Sequence, residues 1–96
     1  MMVLIIYDIT DDSLRLKVAN ILLAYGLIRV QKSAFLGQLT RERLKDLKVK
    51  IKRMIEGERA NVQFYPLCPQ CLSRRHEIGV PTVPKYPILK EAILVV

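Results

Sequence analysis

Three features of this 96-residue chain predict an α+β fold with the order strand, helix, strand, strand, helix, strand. The first is an apolar, β-branched run from Val3 to Tyr7 that lacks polar alternation, the pattern of a strand covered on both faces. The second is a pair of segments, Leu14 to Tyr25 and Leu44 to Ile55, whose apolar residues recur at helical spacing. The third is length, which suffices for one hydrophobic core and leaves no room for separate catalytic and binding domains.

The elements follow in order. The opening strand brings Asp8 to or near its carboxyl end. Asp11, Asp12 and Ser13 supply capping oxygens for a helix carrying Leu14, Val18, Ile21, Leu22 and Tyr25, and Gly26 is placed to close it in a left-handed conformation. Leu27 to Leu39 reads as extended chain in which Gly37 marks a bend or bulge. The polar break at Gln31, Lys32 and Ser33 leaves open whether this stretch is two strands or one bent strand. Thr40 caps a second helix through Leu44, Leu47, Ile51, Met54 and Ile55, ending near Gly57. Asn61 to Leu67 is a further strand, stopped by Pro66 and Pro69. Beyond the basic patch Arg74, Arg75 and His76, three prolines between Pro81 and Pro87 make a semi-rigid connector. The apolar tail from Ile88 to Val96 then needs a sheet edge, its own or a partner's.

This order is the split βαβ pattern of a ferredoxin-like fold, expected as a single domain over residues 1–96 with residues 81–96 as connector and C-terminal strand. Two helices cover one sheet face. The first strand is apolar on both faces, so a second copy packed face to face, a homodimer, is the simplest cover for the other.

Composition narrows the partners. Sixteen Lys and Arg against nine Asp and Glu leave a net charge of +7, pointing to a polyanion, with nucleic acid favoured over a membrane surface. The longest apolar runs fall short of the roughly 20 residues a membrane span needs. The N-terminal run passes directly into Tyr7, Asp8 and Ile9 without a secretory cleavage pattern, so a cytoplasmic location is expected.

Specific residues then carry a resemblance. The opening Tyr7-Asp8-Ile9, Asp11-Asp12, Arg15, Lys17-Val18-Ala19, Leu22 and Gly26 is followed by Arg29, Gln31, Ser33, Phe35, Gly37, Leu39 and Thr40. Val62 to Cys68 with Cys71 completes the series, and over about residues 3–72 it closely resembles the small CRISPR-associated Cas-two family. The resemblance implies a ferredoxin-like dimer and two roles. Members are metal-dependent nucleases that cut RNA or double-stranded DNA. Members are also the central non-catalytic dimer of the spacer-acquisition complex, bridging Cas-one integrase subunits and holding DNA. It further implies that cleavage rests on Asp8, with Tyr7, Arg15, Arg29, Ser33 and Phe35 around it. Lys17 stands where the family often has arginine, which removes a bidentate phosphate contact there.

Phosphodiester hydrolysis calls for a Lewis acid, and carboxylates are the usual ligands of Mg²⁺ or Mn²⁺. One carboxylate holds such an ion poorly, whereas a two-fold axis near the strand ends would join Asp8 from both chains in one site. The competing reading has Asp8 ending a strand and accepting hydrogen bonds from the following turn. Asp11 and Asp12 are explained by capping and the helix dipole. His76, the one histidine, lies in a loop, and no nucleophilic triad can be assembled. Lys45, Lys48 and Lys52 share one face of the second helix and, with Arg15, Lys17, Arg29 and Lys32, form a basic surface for a phosphate backbone, the alternative being a solvated face. Cys68 and Cys71 have zinc-like spacing without a second ligand pair, and a redox role would need a helix directly after Cys68, so a structural turn is expected. Three functions remain: a metal-dependent endonuclease, a DNA-binding scaffold, and a toxin-like ribonuclease or basic RNA-binding module on the same fold.

Overall fold

The computed structural model describes residues 1–80. The connector and tail predicted for residues 81–96 lie outside the described residues. Within them the order is β1 (Met2–Ile9), α1 (Asp12–Ala24), β2 (Ile28–Gln31), β3 (Ala34–Gln38), α2 (Arg41–Ile55), β4 (Ala60–Leu67) and α3 (Pro69–Ser73). The strands form one antiparallel sheet in the order β2-β3-β1-β4. This is the ferredoxin-like arrangement, with the first strand central.

Alternation along β1 divides its side chains between two environments. Val3, Ile5, Tyr7 and Ile9 point toward α1 and α2 and join Leu14, Val18, Leu22, Phe35, Leu47 and Ile51 in the main core. Met2, Leu4, Ile6 and Asp8 point to the other face, where Met2, Leu36 and Leu72 form a small second cluster with Leu4, Ile28, Val30 and Leu67 at its margin. Toward the carboxyl end of β1 that cluster gives out, and Ile6 is 38% exposed. Among the described residues, the unalternated run thus reflects a strand whose second face α3 covers at one end only.

The ends of α1 are set as its sequence predicts: the Asp11 carboxylate accepts from the Leu14 N–H at 2.8 Å, and Gly26 adopts φ 85° just beyond the helix. Thr40 caps α2 in the same way, its Oγ1 accepting from the Arg43 N–H at 3.1 Å. The open question between Leu27 and Leu39 resolves as two strands joined by a turn at Lys32–Ser33. The expected bend at Gly37 is not found. The irregularity lies instead in β2, between Arg29 and Gln31, and Gly37 sits in regular β3 where a Cβ would come within 2.6 Å of Leu27 Cδ2. A glycine there lets the β2 entry pack directly on the sheet.

Pro66 does not stop β4. It pairs with Val3 inside the strand, and β4 is an edge strand, where a missing N–H is tolerated. Pro69 opens α3, a helix not expected from the sequence, because proline at the first helical position gives up only an N–H that has no partner there.

Candidate nucleic-acid interface and carboxylate site

At the carboxyl end of β1, consecutive residues face opposite ways. Tyr7 is turned toward the helices: its hydroxyl donates to the Lys32 carbonyl at 3.2 Å, and its backbone N–H donates to the Ser33 carbonyl at 3.0 Å. These two bonds tie the β2–β3 turn to β1. The Tyr7 ring stacks on Phe35 at 6.1 Å, and the Arg29 guanidinium lies 5.1 Å from the Phe35 ring centre. Arg15, on the first turn of α1, donates to the Ile9 carbonyl at 3.2 Å and pairs with Asp12. Together Tyr7, Asp12, Arg15, Leu16, Arg29, Lys32 and Ser33 line an open cleft of ≈ 570 Å³. Three cations and one carboxylate give its wall a net positive charge, the complement of an anion with several oxygens.

Asp8 lies on the other face, opposite Asn61 of β4 in the register and beside Ile6. It is exposed, and among the described residues its carboxylate accepts no hydrogen bond. Thr10 N–H goes to the Arg59 carbonyl and Leu14 N–H to Asp11, so the turn after β1 makes no use of Asp8. The structure therefore brings Tyr7, Arg15, Arg29, Ser33 and Phe35 together and leaves Asp8 apart from them. Among the described residues no group of three or more His, Cys, Asp or Glu is placed to hold a metal ion. A single free carboxylate holds Mg²⁺ or Mn²⁺ poorly by itself; joined by a second from a partner copy it suits these ions, which take one or two carboxylates and retain most of their water shell. It does not fit a cation that needs a full set of protein ligands from one chain.

The basic residues split in the same way. α1 packs on β1 and β2, whereas α2 packs on β4, at the other side of the sheet. Arg15, Arg29 and Lys32 thus lie apart from the α2 lysines rather than extending their stripe, and Lys17 is exposed on α1 outside the lining of the cleft. On α2, Leu44, Leu47 and Ile51 face the core while Lys45, Lys48 and Lys52 are exposed along one flank, Lys48 Nζ lying 5.7 Å from the Phe64 ring centre. Lys50 is on the other flank, 3.4 Å from Asp46, whose carboxylate also accepts from the Tyr25 hydroxyl. That hydroxyl holds the Asp46 carboxyl below its usual range, and Tyr25 and Asp46 together raise the Lys50 ammonium. Lys50 is thereby committed to the α1–α2 junction, while Lys45, Lys48 and Lys52 make no ion pair among the described residues.

The cysteine pair departs from the sequence expectation. A helix does follow Cys68 directly: Cys68 is the N-cap of α3, and its sulfur accepts from the Cys71 N–H at 3.2 Å. Sequence reasoning misses this because sulfur is not among the usual capping atoms and proline after a strand reads as a stop; Pro at a first helical position is the available signal.

Fold and site together define a small basic ferredoxin-like domain with one sheet face packed by helices and the other partly open, carrying a free carboxylate. Residues 1–75 match the family described as CRISPR associated protein Cas2, and the chain belongs to that family. The CRISPR-associated endoribonuclease Cas2 of Korarchaeum cryptofilum is 44% identical over 77 residues, spanning 80% of this chain and 83% of that protein. The crystal structure of Streptococcus pyogenes Cas2 at pH 6.5 superposes with a TM-score of 0.70 at 29% identity, covering 82% of this chain and all of that one. A chain in the partial Cas6-RT-Cas1–Cas2 complex superposes with a TM-score of 0.70 at 31% identity, covering 91% of this chain and 97% of its own length. Among the described residues no helix is long and apolar enough to cross a membrane.

Proposed function

We propose that this chain is a metal-dependent endonuclease of the spacer-acquisition stage of CRISPR defence, cutting phosphodiester bonds of single-stranded RNA or double-stranded DNA. It acts as a homodimer whose two Asp8 carboxylates share one Mg²⁺ or Mn²⁺. The observation that carries this reading is Asp8 itself, an exposed carboxylate without a hydrogen bond among the described residues, on the sheet face the helices leave open. Because Asp8 caps nothing and pairs with nothing among the described residues, its carboxylate stays available to a ligand. A second copy laid against the face covers Ile6 and Leu4 and brings two carboxylates together, where without a cation they repel.

When bound there, a divalent cation supplies charge neutralisation for the phosphate and activates the attacking water. The chain's own residues bind and orient. Arg15, Arg29 and Lys32 hold a neighbouring phosphate in the cleft, Phe35 and Tyr7 position Arg29 and the Lys32–Ser33 turn, and Lys45, Lys48 and Lys52 hold the backbone farther away. Because the cleft and Asp8 open on opposite faces, a strand that engages both must pass around the end of the sheet. The endoribonuclease name carried by the Korarchaeum relative supports the nuclease reading.

A second reading has its own support: a non-catalytic DNA-binding scaffold bridging Cas1 integrase subunits. Two separate basic surfaces, neither including Asp8, suit a protein that holds duplex DNA without cutting it, and a structural neighbour belongs to a complex named for Cas1 and Cas2 among its parts. The readings separate on one experiment, cleavage of labelled single-stranded RNA and duplex DNA by wild type and Asp8→Ala with magnesium, manganese or chelator. Cutting that needs metal and is lost in Asp8→Ala is expected. Equal cutting by both proteins, or none by either, removes Asp8 from catalysis and leaves the scaffold.

A further inference from the structure

Cys68 and Cys71 have no part in either function above. Both thiols are free and exposed. The Cys71 N–H donates to the Cys68 sulfur at 3.2 Å. The Cys68 sulfur thus lies against the Cys71 backbone with two residues between them, and both thiols sit at the exposed start of α3, a spacing from which a short disulfide ring can close. A zinc role has no comparable support, since neither His76 nor any acidic residue among those described joins the pair as a third ligand.

We infer that Cys68 and Cys71 form a redox-active dithiol that closes to an intramolecular disulfide by exchange with a small disulfide, Cys68 being the attacking sulfur. The Cys68 thiolate attacks one sulfur of the small disulfide and expels the first thiolate, leaving a mixed disulfide on Cys68. Cys71 gives up its proton through solvent and attacks the Cys68 sulfur, expelling the second thiolate. The protein loses two electrons and two protons, and the small disulfide is reduced to two thiols.

The two cysteines are not equivalent, which fixes their order. The bonds from the Cys71 thiol and N–H, aided by Arg74, lower the Cys68 thiol below its usual value, while donation to Cys68 raises Cys71. Cys68 thus carries the larger thiolate fraction and Cys71 resolves. The ring would enclose Pro69 and Gln70 and leave Leu72 outside it, seated between Met2 and Leu36, so closure needs no change in the second apolar cluster. This inference is independent of the nuclease reading.

The test uses the full chain, reduced and then equilibrated with oxidised and reduced glutathione in varied ratio, followed by thiol counting and mass analysis. Expected are the joint loss of both thiols, a mass lower by two hydrogen atoms and no covalent dimer. Cys71→Ser should halt at a glutathione adduct on Cys68. Cys68→Ser, in which the hydroxyl can keep the cap, should leave a Cys71 that reacts several-fold more slowly with iodoacetamide at neutral pH than Cys68 does in Cys71→Ser. Retention of both thiols under oxidising glutathione, disulfides formed only between chains, or equal alkylation rates in the two variants would overturn the inference.

Discussion

Phe35 is completely buried, and its ring meets both the Tyr7 ring and the Arg29 guanidinium, so it reaches a bound phosphate only through the cation it seats. In the proposed cleft it acts as a positioning residue, with a large structural share. Phe35→Ala should lose ~3–5 kcal/mol of unfolding free energy in denaturant titration, a large part of what a domain of this size has. Asp11 carries a different prediction. The Leu14 N–H and then the Ser13 hydroxyl hold its carboxyl below the ordinary value of 3.8. A group with a depressed folded-state pKa contributes fully above its unfolded value and loses that contribution as pH falls through the folded value. The stability gap between wild type and Asp11→Asn should therefore be constant from neutral pH down to 3.8 and shrink below it, as thermal unfolding at a series of pH values would show. A gap that widens on acidification would contradict the cap.

Among the elements, α2 offers the most direct test of nucleic-acid binding. Its Lys50 is engaged with Asp46 and Tyr25, so substitution of Lys45, Lys48 and Lys52 removes the free flank without touching the α1–α2 junction. The triple change to Gln should weaken binding evenly across sequences and flatten the slope of log affinity against log salt by about 0.9 for each duplex phosphate that the flank no longer neutralises. An unchanged slope would show the flank to be solvated surface only. The elements also show what can be read from residues alone. Apolar spacing and caps locate α1 and α2 because those signals are local. The faces of β1 are hidden in the sequence, since Leu4 and Ile6 are as apolar as Ile5, and only the coverage by α1 and α2 separates Asp8 from Tyr7. The cleft is equally hidden as geometry: Arg15, Arg29 and Lys32 come from three elements, and the Tyr7 bonds to the Lys32–Ser33 turn depend on the register of β1 against β3. The extent of α3 escapes because a proline that ends one element can equally begin the next.

For the whole molecule, the decisive asymmetry is between the two faces of the sheet. One is closed by α1 and α2 over a continuous core. The other is closed by Leu72 at one end and exposes Ile6 and Asp8 at the opposite end. The nuclease reading assigns that exposed end to a second copy and makes the two Asp8 carboxylates one site. Pairing has a quantitative signature. Wild-type and Asp8→Asn chains co-refolded in varied ratio form mixed dimers, and metal-dependent cleavage of labelled RNA or duplex DNA is then followed against the wild-type fraction. If both carboxylates are required, activity follows the square of that fraction and an equal mixture retains a quarter of the wild-type rate. A linear dependence, with half the rate retained, would contradict the shared site.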